Sequence, residues 1–135
     1  MSEENVDLVR DAYDAFNRGD WDAALAFAVP EIEWRLHGEL ELDVQRTVRG
    51  REALKEFWAD FFDAWDDYTM EPVDFVEAPD GRLLATVHFS ARGQGSSVPV
   101  DLTYFWLYRL RHGAIAAVDI YLGRTEALEA AGLSE

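Results

Sequence analysis

Cysteine is missing from all 135 residues, which removes disulfides, thiol nucleophiles and thiolate-bound metals from consideration. Lysine is almost missing too: Lys55 stands alone among 12 cationic side chains, which face 27 carboxylates for a net charge of −15. Such a surplus repels phosphate backbones and anionic lipid, so neither nucleic acid nor a membrane is expected as a partner. No apolar run reaches the roughly 18 residues of a membrane helix. The opening MSEENVDLVR is acidic where a secretory leader is basic, and the expected location is the cytoplasm. The only histidines, His37, His88 and His112, lie far apart with no HxH or HxxxH spacing, and there is no GxGxxG or Walker loop. No metal and no cofactor is expected.

What is present suits one domain, residues 1–135, with 49% hydrophobic and 13% aromatic side chains. A chain of this length buries roughly two-thirds of its unfolded surface. The longest β-like run is VPVDLTYFWLYRLRHGAIAAVDIYL, from Val98 to Leu122. Leu102, Tyr104, Trp106, Tyr108 and Leu110 recur with period two, then Val118, Ile120 and Leu122 after an Arg111-His112-Gly113 turn. The opposite parity, Thr103, Phe105, Leu107 and Arg109, is also largely apolar, so this hairpin needs cover on both faces. The chain's helices supply one cover. A second copy of the sheet is the economical other, giving a homodimer through the outer sheet face with Phe105 and Leu107 at its centre.

Around the hairpin, Val6, Val9, Tyr13 and Phe16 predict a first helix ended by Gly19. Asp20 caps a short second helix carrying Trp21, Leu25 and Phe27, which Pro30 stops. Ile32, Trp34 and Leu36 alternate with charges as a strand, and the charged stretch 37–49 reads as a flap. Gly50 opens a third helix with the stripe Leu54, Phe57, Trp58, Phe61 and Trp65. Strands from Thr69 to Ala78 and Leu83 to Arg92 flank a Pro79-Asp80-Gly81 turn, and a short helix around Leu128 follows the hairpin. The resulting order is ααβαββββα, an α+β fold with a curved sheet over helices.

The opening VRDAYDAFNRGDWDAALAF, the RGREALKEFW helix start, the RHGAI turn and the ending YLGRTEALEAAGL together resemble the nuclear transport factor 2-like superfamily. The nearest branch is SnoaL-like and ketosteroid-isomerase-like. The resemblance implies a cone-shaped, strongly curved mixed or antiparallel sheet wrapped around helices. It leaves function open, because isomerases, cyclases, epoxide hydrolases, dehydratases and non-catalytic binders share that cone.

Carried over residue by residue, Tyr13 matches the tyrosine that donates to the oxyanion in the steroid isomerases. Leu36 stands where those enzymes have their aspartate base, and Trp106 falls near their second donor. Val87, Phe89 and Ile120 occupy the inward positions of the epoxide-hydrolase Asp-Arg-Asp set, and none of them can move a proton. Asp119 has outward parity. In this fold Tyr13, Phe16, Trp34, Leu36, Trp58, Phe61, Val87, Phe89, Tyr104, Trp106 and Ile120 form the expected lining of a ligand pocket.

Three functions follow as expectations. The first is binding of a small apolar molecule, steroid-, polyketide- or terpene-like, in that cone. The second is a cofactor-independent isomerase, cyclase or dehydratase in which Tyr13 polarises a carbonyl. There His37, or a flap carboxylate from Glu39, Glu41 or Asp43, moves the proton. The third is a non-catalytic dimeric association module whose aromatic rings pack solid.

Overall fold

The computed structural model describes residues 3–37, 46–63, 65–93 and 99–133. Its elements run α1 (Glu3–Asn17), α2 (Trp21–Leu25), β1 (Ala28–Leu36), β2 (Arg46–Arg49), α3 (Arg51–Phe62), β3 (Trp65–Glu77), β4 (Leu83–Gly93), β5 (Pro99–Arg111), β6 (Ala114–Tyr121) and α4 (Arg124–Ala131). The six strands form one curved, unclosed sheet in the order β2-β1-β6-β5-β4-β3. The expected hairpin, β5 and β6, lies at its centre. His112 and Gly113 make the two-residue turn with φ of 52° and 75°, the paired positive values that follow the right-handed twist of the flanking strands.

Every neighbouring pair is antiparallel except β1 and β6, which run parallel with Trp34 beside Val118 and Leu36 beside Ile120. A register shift in the β5–β6 ladder between Arg109 and Leu110 leaves Ala116 without an opposite residue. That extra residue turns Ile115 to the same side as Val118, and both enter the core under the sheet. Asn17, at the end of α1, clamps the backbone of β3 in both senses, its amide donating to Met70 O at 2.7 Å and its oxygen accepting from Met70 N at 3.0 Å.

Three expectations need correction. The order is ααββαββββα, because Arg46–Arg49, placed in the flap, is a strand. Thr47 and Val48 are β-branched and find the open edge of β1, where Arg49 also bonds Glu33 at 3.1 Å. Phe27 lies beyond α2, and β1 begins at Ala28 with Pro30 inside it, at an irregularity in the β1–β6 ladder. Trp65 is the first residue of β3 and not the last ring of the α3 stripe. Phe105 and Leu107 have cover within the chain. The chain's own α4 places Ala127, Leu128 and Ala131 over them, with Ala78 and Leu84, and Leu107 is left only 1% exposed.

The flap carboxylates Glu39, Glu41 and Asp43 lie outside the described residues. Among the described residues no helix is long and apolar enough to cross a membrane.

Leu128 anchors α4 to the sheet, so Leu128→Ala should cost about 2–4 kcal/mol in urea unfolding. An unchanged midpoint would show that α4 contributes little to the cover of the outer face.

Candidate functional site

The concave side of the sheet and the faces of α1 and α3 enclose two neighbouring voids that share part of their walls. The inner one, about 60 Å³, is walled by Tyr13 and Phe16 from α1, Leu54, Trp58 and Phe62 from α3, and Trp34, Met70, Trp106, Tyr108, Ile115 and Val118 from the sheet. Ala12, Ala24, Leu25, Ala28 and Ile32 complete it, and no side chain in this wall carries a charge. The outer one, about 350 Å³, is walled by Leu36, His37, Phe57, Phe61, Phe89, Leu102, Tyr104, Ile120 and Leu122. Trp34, Phe62, Met70 and Trp106 belong to both walls. Phe61, Leu102 and Leu122 are 39%, 44% and 44% exposed, which makes the mouth a ring of wetted apolar side chains.

Helix geometry explains the split. Leu54, Trp58 and Phe62 are spaced by four and buried, so they line the inner void. Phe57 and Phe61 lie a quarter-turn round the helix and line the outer one.

Two hydroxyls are the main polar groups of the inner void. Tyr108 donates to Tyr13 at 2.5 Å across edge-on rings, and Tyr13 also lies against Trp106 with ring centroids 5.5 Å apart. Burial pushes both phenols well above their ordinary value of 10.0, so they stay protonated and act as donors. Asp119 and His37 form the nearest acid–base pair. Glu33, Arg35 and His37 alternate with the inward Trp34 and Leu36, and the heads of Arg35 and His37 meet Asp119. Arg35 Nη1 donates to both Asp119 oxygens at 3.1 and 3.2 Å, and His37 Nε2 lies 2.7 Å from Asp119 Oδ1. Arg35 Nη2 bonds Glu33 at 2.6 Å, and this bond is the main reason the Glu33 carboxyl is held below its usual range. The His37 ring stacks on Tyr121 at 4.6 Å.

Ten of the eleven expected lining residues reach one or both voids: Tyr13, Phe16, Trp34, Leu36, Trp58, Phe61, Phe89, Tyr104, Trp106 and Ile120. Val87 does not. It faces the core but is shorter than the rings beside it and is wholly buried in packing. His37 stands at the rim of the outer void, engaged by Asp119 and Tyr121. Asp119 does point outward, yet it is only 9% exposed.

Met70, Phe62 and Ile115 escaped sequence reading. Met70 and Ile115 depend on irregular strand register, whereas the Leu54-Trp58-Phe62 spacing of four was present in the sequence as a helical signal. Among the described residues no group of three or more His, Asp or Glu is arranged to hold a metal ion.

The SnoaL-like domain family matches residues 9–118. A nuclear transport factor 2-like protein from Burkholderia xenovorans LB400 superposes with a TM-score of 0.69 at 27% identity, covering 97% of each chain. TerC, co-crystallised with polyporic acid, superposes at 0.76 with 18% identity, over 96% of this chain and 99% of its own. The epoxide hydrolase/cyclase-like enzyme SalBIII, of pyran ring formation in the polyether salinomycin, gives 0.74 at 18% identity over 91% and 93%. A comparison with curated proteins found no match.

The two buried phenols predict an alkaline limit to stability. Above about pH 10 the unfolded chain releases phenolic protons that Tyr13 and Tyr108 retain when folded, so stability is complete below that pH and declines as pH rises. Each contributes up to about 1.4 kcal/mol per pH unit. Denaturant unfolding between pH 8 and 11 should show a shallower decline in a Tyr13→Phe/Tyr108→Phe protein than in the wild type.

Proposed function

The chain belongs to the SnoaL-like domain family, and from that premise we propose that it binds a small, uncharged, mostly apolar molecule in the cone. The observation that carries this is the outer void of about 350 Å³, apolar-walled and opening to solvent through a ring of exposed Phe61, Leu102 and Leu122. A core that simply packed its rings would leave no void of this size. The inner wall has no charge with which to meet an ionic group, and a net charge of −15 disfavours anionic ligands on approach. Burying half a dozen ligand carbons at roughly 0.8 kcal/mol each supports micromolar to millimolar affinity once association costs are met. TerC, with polyporic acid in its crystals, is a relative of the same shape.

A second reading, turnover of that ligand, is favoured by one feature. His37 stands at the rim of the outer void with its imidazole oriented by Asp119, the arrangement by which a carboxylate fixes a proton-moving histidine. Tyr13 would then polarise the substrate from the inner end. No carboxylate lines either void among the described residues, so this reading rests on His37 as the sole proton carrier.

Calorimetric titration with neutral ring compounds and their carboxylated counterparts tests the binding. The neutral members should bind and the carboxylates should not. Leu102→Trp, at an exposed site on the mouth, should weaken binding at least tenfold without lowering the melting temperature. Silence across the panel would overturn the reading. If a product accumulates, His37→Gln should abolish it while leaving affinity within about twofold; undiminished turnover would remove His37 from the chemistry.

A further inference from the structure

The four side chains that wall both voids are not equally stiff. Measured between ring centroids, Trp34 lies 5.1 Å from Phe57 and 6.0 Å from Trp106, and Trp106 lies 5.5 Å from Tyr13. Phe62 lies 4.5, 4.9 and 5.2 Å from Tyr68, Phe61 and Phe16. Rings packed against rings in this way cannot turn without displacing their neighbours. Met70 is the exception, an unbranched chain with three rotatable bonds. Its backbone is held on both sides, because Asn17 donates to Met70 O at 2.7 Å and accepts from Met70 N at 3.0 Å. Any movement at this point of the shared wall therefore falls to the thioether side chain.

Behind Met70 lies a chamber suited to hydrocarbon. The inner void of about 60 Å³ has room for several water-sized groups, at roughly 10–15 Å³ apiece. Its wall carries no charge, and its two phenols are bonded to each other. A methylene chain entering it breaks no hydrogen bond. The opening is only as wide as one displaced side chain, since the other three members of the shared wall are rings.

We propose that Met70 is a specificity-determining gate: swung aside, it admits an unbranched hydrocarbon chain of about three or four carbons into the inner void while the rest of the ligand stays in the outer one. This rests on the binding reading above and narrows its ligand to a neutral molecule with a straight alkyl tail. Each methylene that leaves water raises affinity roughly fourfold, so a tail that reaches the inner void outbinds an isomer of equal carbon count that cannot. A branched end is too broad for the gap and stays outside.

Methyl resonances of the wild-type protein, followed during addition of 1-hexanol or its isomer 3,3-dimethyl-1-butanol, test the gate. Leu54, Ile115 and Val118 border only the inner void, whereas Leu36, Ile120 and Leu122 border only the outer one. 1-Hexanol should shift both sets and bind about tenfold tighter than its isomer, which should shift the outer set alone. Met70→Ile puts a stiff, β-branched side chain at this strand position. It should confine 1-hexanol to the outer set and bring its affinity within about twofold of the isomer's. If 1-hexanol leaves the inner methyls of the wild type unmoved while shifting the outer ones, or if the isomer moves the inner ones equally, the gate is refuted and the binding reading stands. Inner shifts that persist in Met70→Ile refute it likewise. If neither alcohol perturbs any residue of either void at tens of millimolar, both fall together. Should Met70→Ile fail to fold, Met70→Ala, which removes the gate, should let the branched isomer shift the inner set; an inner set still silent would overturn the proposal.

Discussion

The structure depends on a central hairpin that is apolar on both faces. Tyr104, Trp106 and Tyr108 on one side of β5, and Phe105 and Leu107 on the other, must all leave water, and no single layer of helices can cover both. The inner face takes α1 and α3. The outer face takes α4, returned over the sheet by Gly123 and held at its far end by Arg82, whose guanidinium donates to Ala130 O at 2.8 Å. Beside it Arg35 pairs with both Asp119 and Glu33, His37 Nε2 lies 2.7 Å from Asp119, and His88 lies 3.1 Å from Asp101. Phe105 and Leu107 are thus covered inside one chain.

The cavity follows from what packs against the inner face. Rings are rigid, with few torsions, and Trp34, Phe57, Trp58, Phe61, Phe62, Phe89 and Trp106 meet edge-on or tilted at centroid distances of 4.9 to 6.2 Å along several of their contacts. Stiff plates arranged in this way tile the walls of a cone without closing its middle, where branched aliphatic side chains would collapse inward. The polar side chains of these walls are few: the Tyr13 and Tyr108 phenols at the inner end, and Tyr104 and His37 in the outer void.

Much of this was legible in the chain. Period-two alternation located the hairpin and its turn, helical spacing located Tyr13 and Phe16, and the quoted stretches pointed to the family whose cone they share. What stayed hidden depended on partners distant in sequence. Arg46–Arg49 is too short and too charged to read as a strand, and becomes one only because β1 offers it an edge. Phe105 and Leu107 showed a need for cover, but Leu128, Ala127 and Ala131 on α4 are too few to advertise themselves as the cover. Parity gave the direction of Asp119 correctly. It could not reveal that Arg35 and His37 reach across a parallel neighbour to enclose it.

That parallel neighbour has a consequence for how the molecule comes into being. Strands β3 to β6 pair in chain order and β2 folds back on β1, so these ladders can zip locally, but the far edge of β1 must wait for β6, made last of the six; Arg35 and Asp119 are 84 residues apart. Closing so long a loop is entropically costly and is rewarded only at the end. During synthesis the N-terminal third therefore holds a strand edge with no mate, and the cone closes in one late step that joins the two ends of the chain.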